Sequence, residues 1–233
     1  MLLWASVAGM SDTAPVLLVH GLASNFEHNW RGPGWVDLLE AEGREVIAVD
    51  LPGHGANPAD PATTDPVEHV AAAISGYDTV DAVGFSAGAA TLLRVAAKDP
   101  GRFGKLVTIG IGNGTVAPPD PDAGPGVASR LLDGSDDVLS QMFLRMLQSA
   151  GNDLEQVRGF VENGGLSRRE PLDLSRITCP TLVVIGDRDF AAPADELAAA
   201  LPNSALVNLR GVDHFNAVND FACIDAVLRF LTA

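Results

Sequence analysis

Six short runs of almost unbroken apolar residues, many of them β-branched, punctuate the chain at 16–19, 46–49, 79–83, 106–109, 181–185 and 205–209. A strand with one face in water alternates apolar and polar residues, whereas a strand covered on both faces is apolar throughout. Such runs need helices above and below them. Helical patterns lie between them, at 35–42, 67–75, 86–98, 194–200 and 220–231, with Pro66 and Pro193 suited to helix starts and Gly43 and Gly76 to helix ends. The alternation predicts an α/β fold: a mostly parallel central sheet with helices on both faces.

The rhythm breaks once. Between 109 and 181 there is no strand-like run, only a Pro/Gly-rich stretch at 117–126 and two amphipathic stretches at 136–148 and 152–162. A structureless loop of that length is uncommon inside a compact domain. The expectation is a small helical cap over residues 112–175, inserted between the two parts of the core, 1–111 and 176–233. The apolar opening stretch lacks the basic start of an export signal and is read as a first strand, reduced to 2–8. No run approaches the length of a membrane span, so a cytoplasmic protein is expected.

Composition narrows the partners. Fifteen Lys and Arg stand against 30 Asp and Glu, a net charge of −15. Nucleic acid and anionic membranes would be repelled as main partners. The charge by itself says only that the surface is acidic; the small-molecule substrate expected as partner rests on a serine, an acid and a histidine instead. Cys179 and Cys223 lie far apart with no metal or redox spacing and read as reduced, packed thiols.

The run at 79–83 leads into Gly84-Phe85-Ser86-Ala87-Gly88 and then a helix. A sharp strand-to-helix turn forces the central serine into a strained backbone and demands tiny residues two before and two after it. The helix start also aims free N–H groups at the serine, where they favour a developing negative charge. A serine hydroxyl needs a base, and the base an orienting acid, in the chain order Ser, acid, His on this architecture. Only His214 follows Ser86, in the loop between the last strand and the last helix. Asp187 and Asp189 both follow the run at 181–185; Asp189, further out, is the preferred acid, and Asp187 reads as a turn residue or a partner of Arg188. An oxyanion hole needs two backbone donors. Ala87 N–H follows from its place after the serine, and Leu22 N–H is the candidate from the loop after Val19.

His20 reads as a brace for that loop. Asp50-Leu51-Pro52-Gly53-His54-Gly55 lacks the residues of a phosphate loop or zinc site and reads as a turn held by Asp50 and His54. Gly110-Ile111-Gly112-Asn113-Gly114 falls short of a dinucleotide fingerprint.

Taken in order, Leu17-Leu18-Val19-His20-Gly21, the Asp50–Gly55 segment, the turn around Ser86, Gly186-Asp187-Arg188-Asp189 and Gly211-Val212-Asp213-His214-Phe215 resemble the α/β-hydrolase fold superfamily over nearly the whole chain. The resemblance implies Ser86 as nucleophile, Asp189 as acid, His214 as base, and Leu22 and Ala87 as oxyanion donors. The segment from Asn29-Trp30 to Gly34-Trp35 is similar to small-cap, esterase-like members. Phe85 departs from the polar residue usual before the nucleophile. Serine rather than aspartate at 86 argues against the dehalogenase and epoxide-hydrolase branches.

The expected activity is cleavage of a small or medium, mostly apolar carboxylic ester through an acyl-enzyme, with no metal or organic cofactor. The alternatives are a carbon–carbon hydrolase or cofactor-free lyase using the same three residues, or a non-catalytic ligand receptor. Met142, Phe143 and Met146 on the predicted cap, with Phe85 and Phe215 beside the reacting groups, are the candidate pocket residues.

Overall fold

The computed structural model describes residues 13–117, 137–164 and 172–233. Six strands form one parallel sheet: β1 (Val16–Val19), β2 (Val46–Val49), β3 (Val80–Phe85), β4 (Phe103–Ile109), β5 (Thr181–Gly186) and β6 (Ser204–Leu209). Their spatial order is β2-β1-β3-β4-β5-β6. β1 pairs in register with β2 on one side and β3 on the other, Val16 opposite Val46 and Asp81. The order therefore reverses at β1, and the carboxyl ends of β1 and β3 open a crevice where an α/β sheet binds ligands.

The unbroken apolar runs of the inner strands have the predicted cause, whereas the edge strands β2 and β6 are only partly buried. Leu17 and Val19 of β1 belong to one buried cluster, Val16 and Leu18 to a second on the opposite face. Helices α1 (Trp35–Ala41) and α7 (Phe221–Thr232) cover the second face through Trp35, Leu39, Ile224 and Val227. Helices α2 (Pro66–Ala73), α3 (Ala87–Lys98) and α6 (Asp195–Ala200) cover the first through Val70, Leu92, Leu93 and Leu197. Cys179 and Cys223 are buried, unbonded thiols, one in each cluster.

The stretch between β4 and β5 contains, among the described residues, α4 (Val138–Ser149), α5 (Leu154–Glu162) and no strand. Asp137 and Asp153 cap these helices, their carboxylates accepting from Ser140 N–H and Gln156 N–H. The expected first strand at 2–8 and most of the Pro/Gly-rich stretch lie outside the described residues. Pro66 opens α2 behind its Asp65 cap as expected. Pro193 does not open α6, which starts two residues later. Its first N–H groups are met from another loop, Asn113 Oδ1 accepting from Glu196 and Leu197. The described residues include no helix long and apolar enough to cross a membrane.

Candidate active site

Ser86 sits between β3 and α3 at φ 51°, ψ −112°, a left-handed conformation that costs a non-glycine residue energy and persists only where its surroundings enforce it. The glycines on either side show the enforcement. A Cβ on Gly84 would lie 2.6 Å from Ala89 N, and one on Gly88 would run into the Val19 carbonyl and stand 2.5 Å from that of His20. α3 thus starts in backbone contact with the end of β1. Gly88→Ala is expected to lower the unfolding free energy by about 3 kcal/mol through overpacking. Gly101→Ala, at a position open to space, is the control expected to stay near wild type in urea denaturation.

Three side chains from three loops meet at this sheet edge. His214 Nε2 is 3.0 Å from Ser86 Oγ, and His214 Nδ1 is 2.9 Å from both carboxylate oxygens of Asp189. Asp189 and His214 are both buried. Asp189 Oδ1 also accepts from Ala191 N–H at 2.8 Å, which fixes the carboxylate. With Nδ1 donating to the carboxylate, Nε2 carries the lone pair that faces the serine hydroxyl. Asp187 takes its turn role instead, accepting from Gly211 N–H at 2.7 Å.

The loop after β1 is held from beneath by two neutral histidines. His20 Nδ1–H donates to Gly21 O at 2.8 Å while Nε2 accepts from Leu51 N–H at 2.9 Å. His54 Nδ1–H donates to Pro52 O, and its Nε2 accepts from Ala23 N–H at 3.1 Å. Burial pushes His20 down to about 4 and His54 down to about 3, with the neighbouring His20 adding to the effect on His54. The 3.5 Å approach of His20 to Asp50 is therefore not an ion pair at neutral pH. Asp50 braces the turn by accepting from Phe26 and Ala56 N–H. Gly21 N–H donates to the buried Asn29 Oδ1 at 2.9 Å. Ala23 has φ 62°, so the loop, like the serine turn, is strained. Gly21, Ala23 and Ser24 N–H are all engaged, whereas Leu22 N–H has no partner among the described residues. Ala87 N–H is the first of the helix-start donors.

A cavity of about 440 Å³ opens beside Ser86 and His214. Small and apolar groups dominate its described walls, among them Ala87, Ala90, Ile111 and Leu172, with Arg94 and Thr115 as polar members. The expected pocket residues are placed differently. None of Phe85, Met142, Phe143, Met146 or Phe215 lines this cavity. Phe85 is buried under His214, their ring centroids 4.9 Å apart. Phe143 packs edge-on against Phe215, and both flank the imidazole. Met146 and Met142 are half-buried on α4, and Met146 packs against the core from its edge. The apolar face of α4 that carries Phe143 and Leu147 packs against the core, as the helical period allows. Sequence reasoning missed Phe190, half exposed, whose ring stacks 4.2 Å from His214 and which does line the cavity. Its place next to Asp189 was the available signal. It also missed Asn29, whose partner eight residues away no periodicity reveals.

The fold and this serine turn define a hydrolase class. The alpha/beta hydrolase family matches residues 16–226, and the chain belongs to that family. It is 26% identical to the 2-hydroxy-6-oxononadienedioate/2-hydroxy-6-oxononatrienedioate hydrolase 2 of Pseudomonas putida, over 86% of this chain and 81% of that protein. Among solved structures it resembles one from work on the carboxylesterases of the thaumarchaeon Nitrososphaera gargenis, with a TM-score of 0.71 at 17% identity, covering 96% of this chain and 92% of that one. It also resembles the 2-hydroxy-6-oxo-6-phenylhexa-2,4-dienoate hydrolase of Rhodococcus sp., with a TM-score of 0.67 at 24% identity, covering 94% and 90%. At these identities the structural likeness establishes the fold.

Proposed function

We propose that the protein is a serine hydrolase that cleaves a small or medium, mostly apolar carboxylic ester. The observation that carries this reading is the hydrogen-bonded chain from Ser86 through His214 to Asp189 at the mouth of a cavity with small, apolar walls. In the proposed cycle His214 Nε2 takes the Ser86 proton as Oγ attacks the acyl carbonyl. The carbonyl oxygen gains the charge and accepts from Leu22 and Ala87 N–H. Asp189 holds the tautomer and stabilises the imidazolium. His214 then protonates the departing alkoxide, leaving an acyl-Ser86 ester. Water, deprotonated by the same imidazole, cleaves that ester and restores the serine. α4 and α5 act as the cap, and the substrate is a small cytoplasmic metabolite rather than a nucleic acid or a lipid surface.

A second reading has a specific observation behind it. The Pseudomonas relative is named as a hydrolase of an oxo-dienedioate and an oxo-trienedioate. Those names contain no ester, so water can split such a chain only at a carbon–carbon bond beside the ketone. The same serine, base and oxyanion donors serve either bond, so the substrate decides. A panel of p-nitrophenyl acyl esters and β-diketones separates the two. The ester reading expects release of p-nitrophenol with a preference for short acyl chains and loss of turnover in Ser86→Ala. β-Diketone cleavage without ester turnover transfers the proposal to the second reading. Failure of a fluorophosphonate to label Ser86 in the folded protein removes both.

A further inference from the structure

The turn between α4 and α5 reaches across to the loop after β1 and is bonded to it from both sides. Asn152 Nδ2 donates to Ser24 O at 2.8 Å, and Asn152 Oδ1 accepts from Gly55 N–H at 2.8 Å. Asn25 Nδ2 donates in return to Ala150 O at 2.8 Å, while its Oδ1 accepts from His28 N–H. Gly151, between the two contact points, takes a left-handed φ of 70°, which lets the chain turn sharply there. Neighbouring packing supports the same join. A Cβ on Gly53 would stand 2.6 Å from the Gln156 carbonyl of α5, and Phe160 meets the His54 ring edge-on with centroids 5.1 Å apart.

Ser24 and Asn25 follow Leu22 by two and three residues, with the strained Ala23 between. His20, His54 and Asn29 hold this loop from the sheet side; Asn152 and Asn25 hold it from the helical insertion. The same pair of helices also sends Phe143 against the aromatic group around His214. We infer that Asn152 is a positioning residue, coupling the seating of α4 and α5 to the placement of the Leu22 N–H. This inference rests on the serine-hydrolase reading for its kinetic consequence, but not for its structural one.

An oxyanion donor interacts more strongly with the transition state than with bound ester, so its displacement lowers kcat and leaves KM in place. Misplacement on the scale of an ångström costs on the order of 10²-fold. Asn152→Asp is the sharpest variant: its carboxylate keeps an acceptor for Gly55 N–H but faces the Ser24 carbonyl with no donor. Asn152→Asp and Asn152→Ala should each lose about 10- to 100-fold in kcat with KM within about twofold. An alkyl boronic acid, whose adduct on Ser86 places an oxygen in the oxyanion hole, should weaken by the same factor. Asn25→Ala should act in the same direction, and the double variant should lose less than the product of the single losses, because both act on one clamp.

Amide hydrogen exchange across residues 21–25 supplies a readout independent of turnover. Exchange should accelerate there in Asn152→Asp while β3 and β4 stay protected. Unchanged exchange in that loop overturns the inference, as does a loss carried by KM, or a kcat loss with boronate affinity intact. If wild type neither cleaves esters nor reacts with a fluorophosphonate, the hydrolase reading falls. The exchange result then still decides whether Asn152 holds the loop.

Discussion

Ser86→Ala should lower turnover of the best substrate by about 10⁶-fold, and adding His214→Ala should lower it hardly further. The reason lies in the 3.0 Å contact between Ser86 Oγ and His214 Nε2. The imidazole accelerates nothing unless a hydroxyl stands there to be deprotonated, so removing either partner removes both contributions. Asp189→Asn should cost about 10⁴-fold. Asparagine preserves the shape but puts an N–H donor in place of one of the oxygens that accept from His214 Nδ1, turning His214 toward the wrong tautomer. Single-turnover measurements on the purified variants provide the check, with circular dichroism to establish folding. Independent, multiplicative losses in the double variant would mean that the two side chains do not act as one unit. The prediction is the same for an ester and for a carbon–carbon bond, because the attack on a carbonyl is common to both.

The core was legible because its signal is local. The run at 16–19 is apolar at every position, and the two clusters divide those positions alternately between the faces of the sheet. The serine turn was legible because its motif fits in five residues: Gly84 is forced locally by the Ala89 backbone, while the backbone that forces Gly88, that of Val19 and His20, is remote in sequence. Asp189 could be preferred over Asp187 from its distance beyond β5, and the hydrogen bonds divide the two as that argument expects. The described walls of the cavity beside Ser86 were not legible. An apolar stripe on a helix reads identically whether it faces a cavity or a core, and Phe143 and Met146 face protein. The clamp at Asn152 was invisible for another reason. Its acceptor, Ser24 O, lies 128 residues away, and a loop asparagine has no period to betray its partner.

Acid should unfold this protein early. His20 and His54 are neutral in the folded state because burial holds them at about 4 and about 3, against an ordinary value of 6.5. As pH falls below about 6.5 the unfolded chain takes up both protons and the folded chain does not. Stability from this source is therefore complete above about pH 6.5 and is lost as pH falls toward the two folded-state values. Each histidine contributes a slope of about 1.4 kcal/mol per pH unit in that window. Two of them remove about 5 kcal/mol by roughly pH 4.5, comparable with the whole stability of many domains. Protonating the 30 carboxylates relieves the repulsion of a net charge of −15, but ordinary Asp and Glu titrate near 4, at the foot of the window. The loss also has a local route. A protonated His54 can no longer accept from Ala23 N–H, nor His20 from Leu51 N–H, so the loop that carries Leu22 is released as the fold weakens. Urea unfolding at pH 7.0, 6.0, 5.0 and 4.5 should show the midpoint falling steadily, with proton uptake of about two per molecule unfolded. His54→Gln, whose amide oxygen still accepts but does not titrate, should halve the slope. A midpoint independent of pH down to 5 would mean that the two imidazoles are not held neutral by burial.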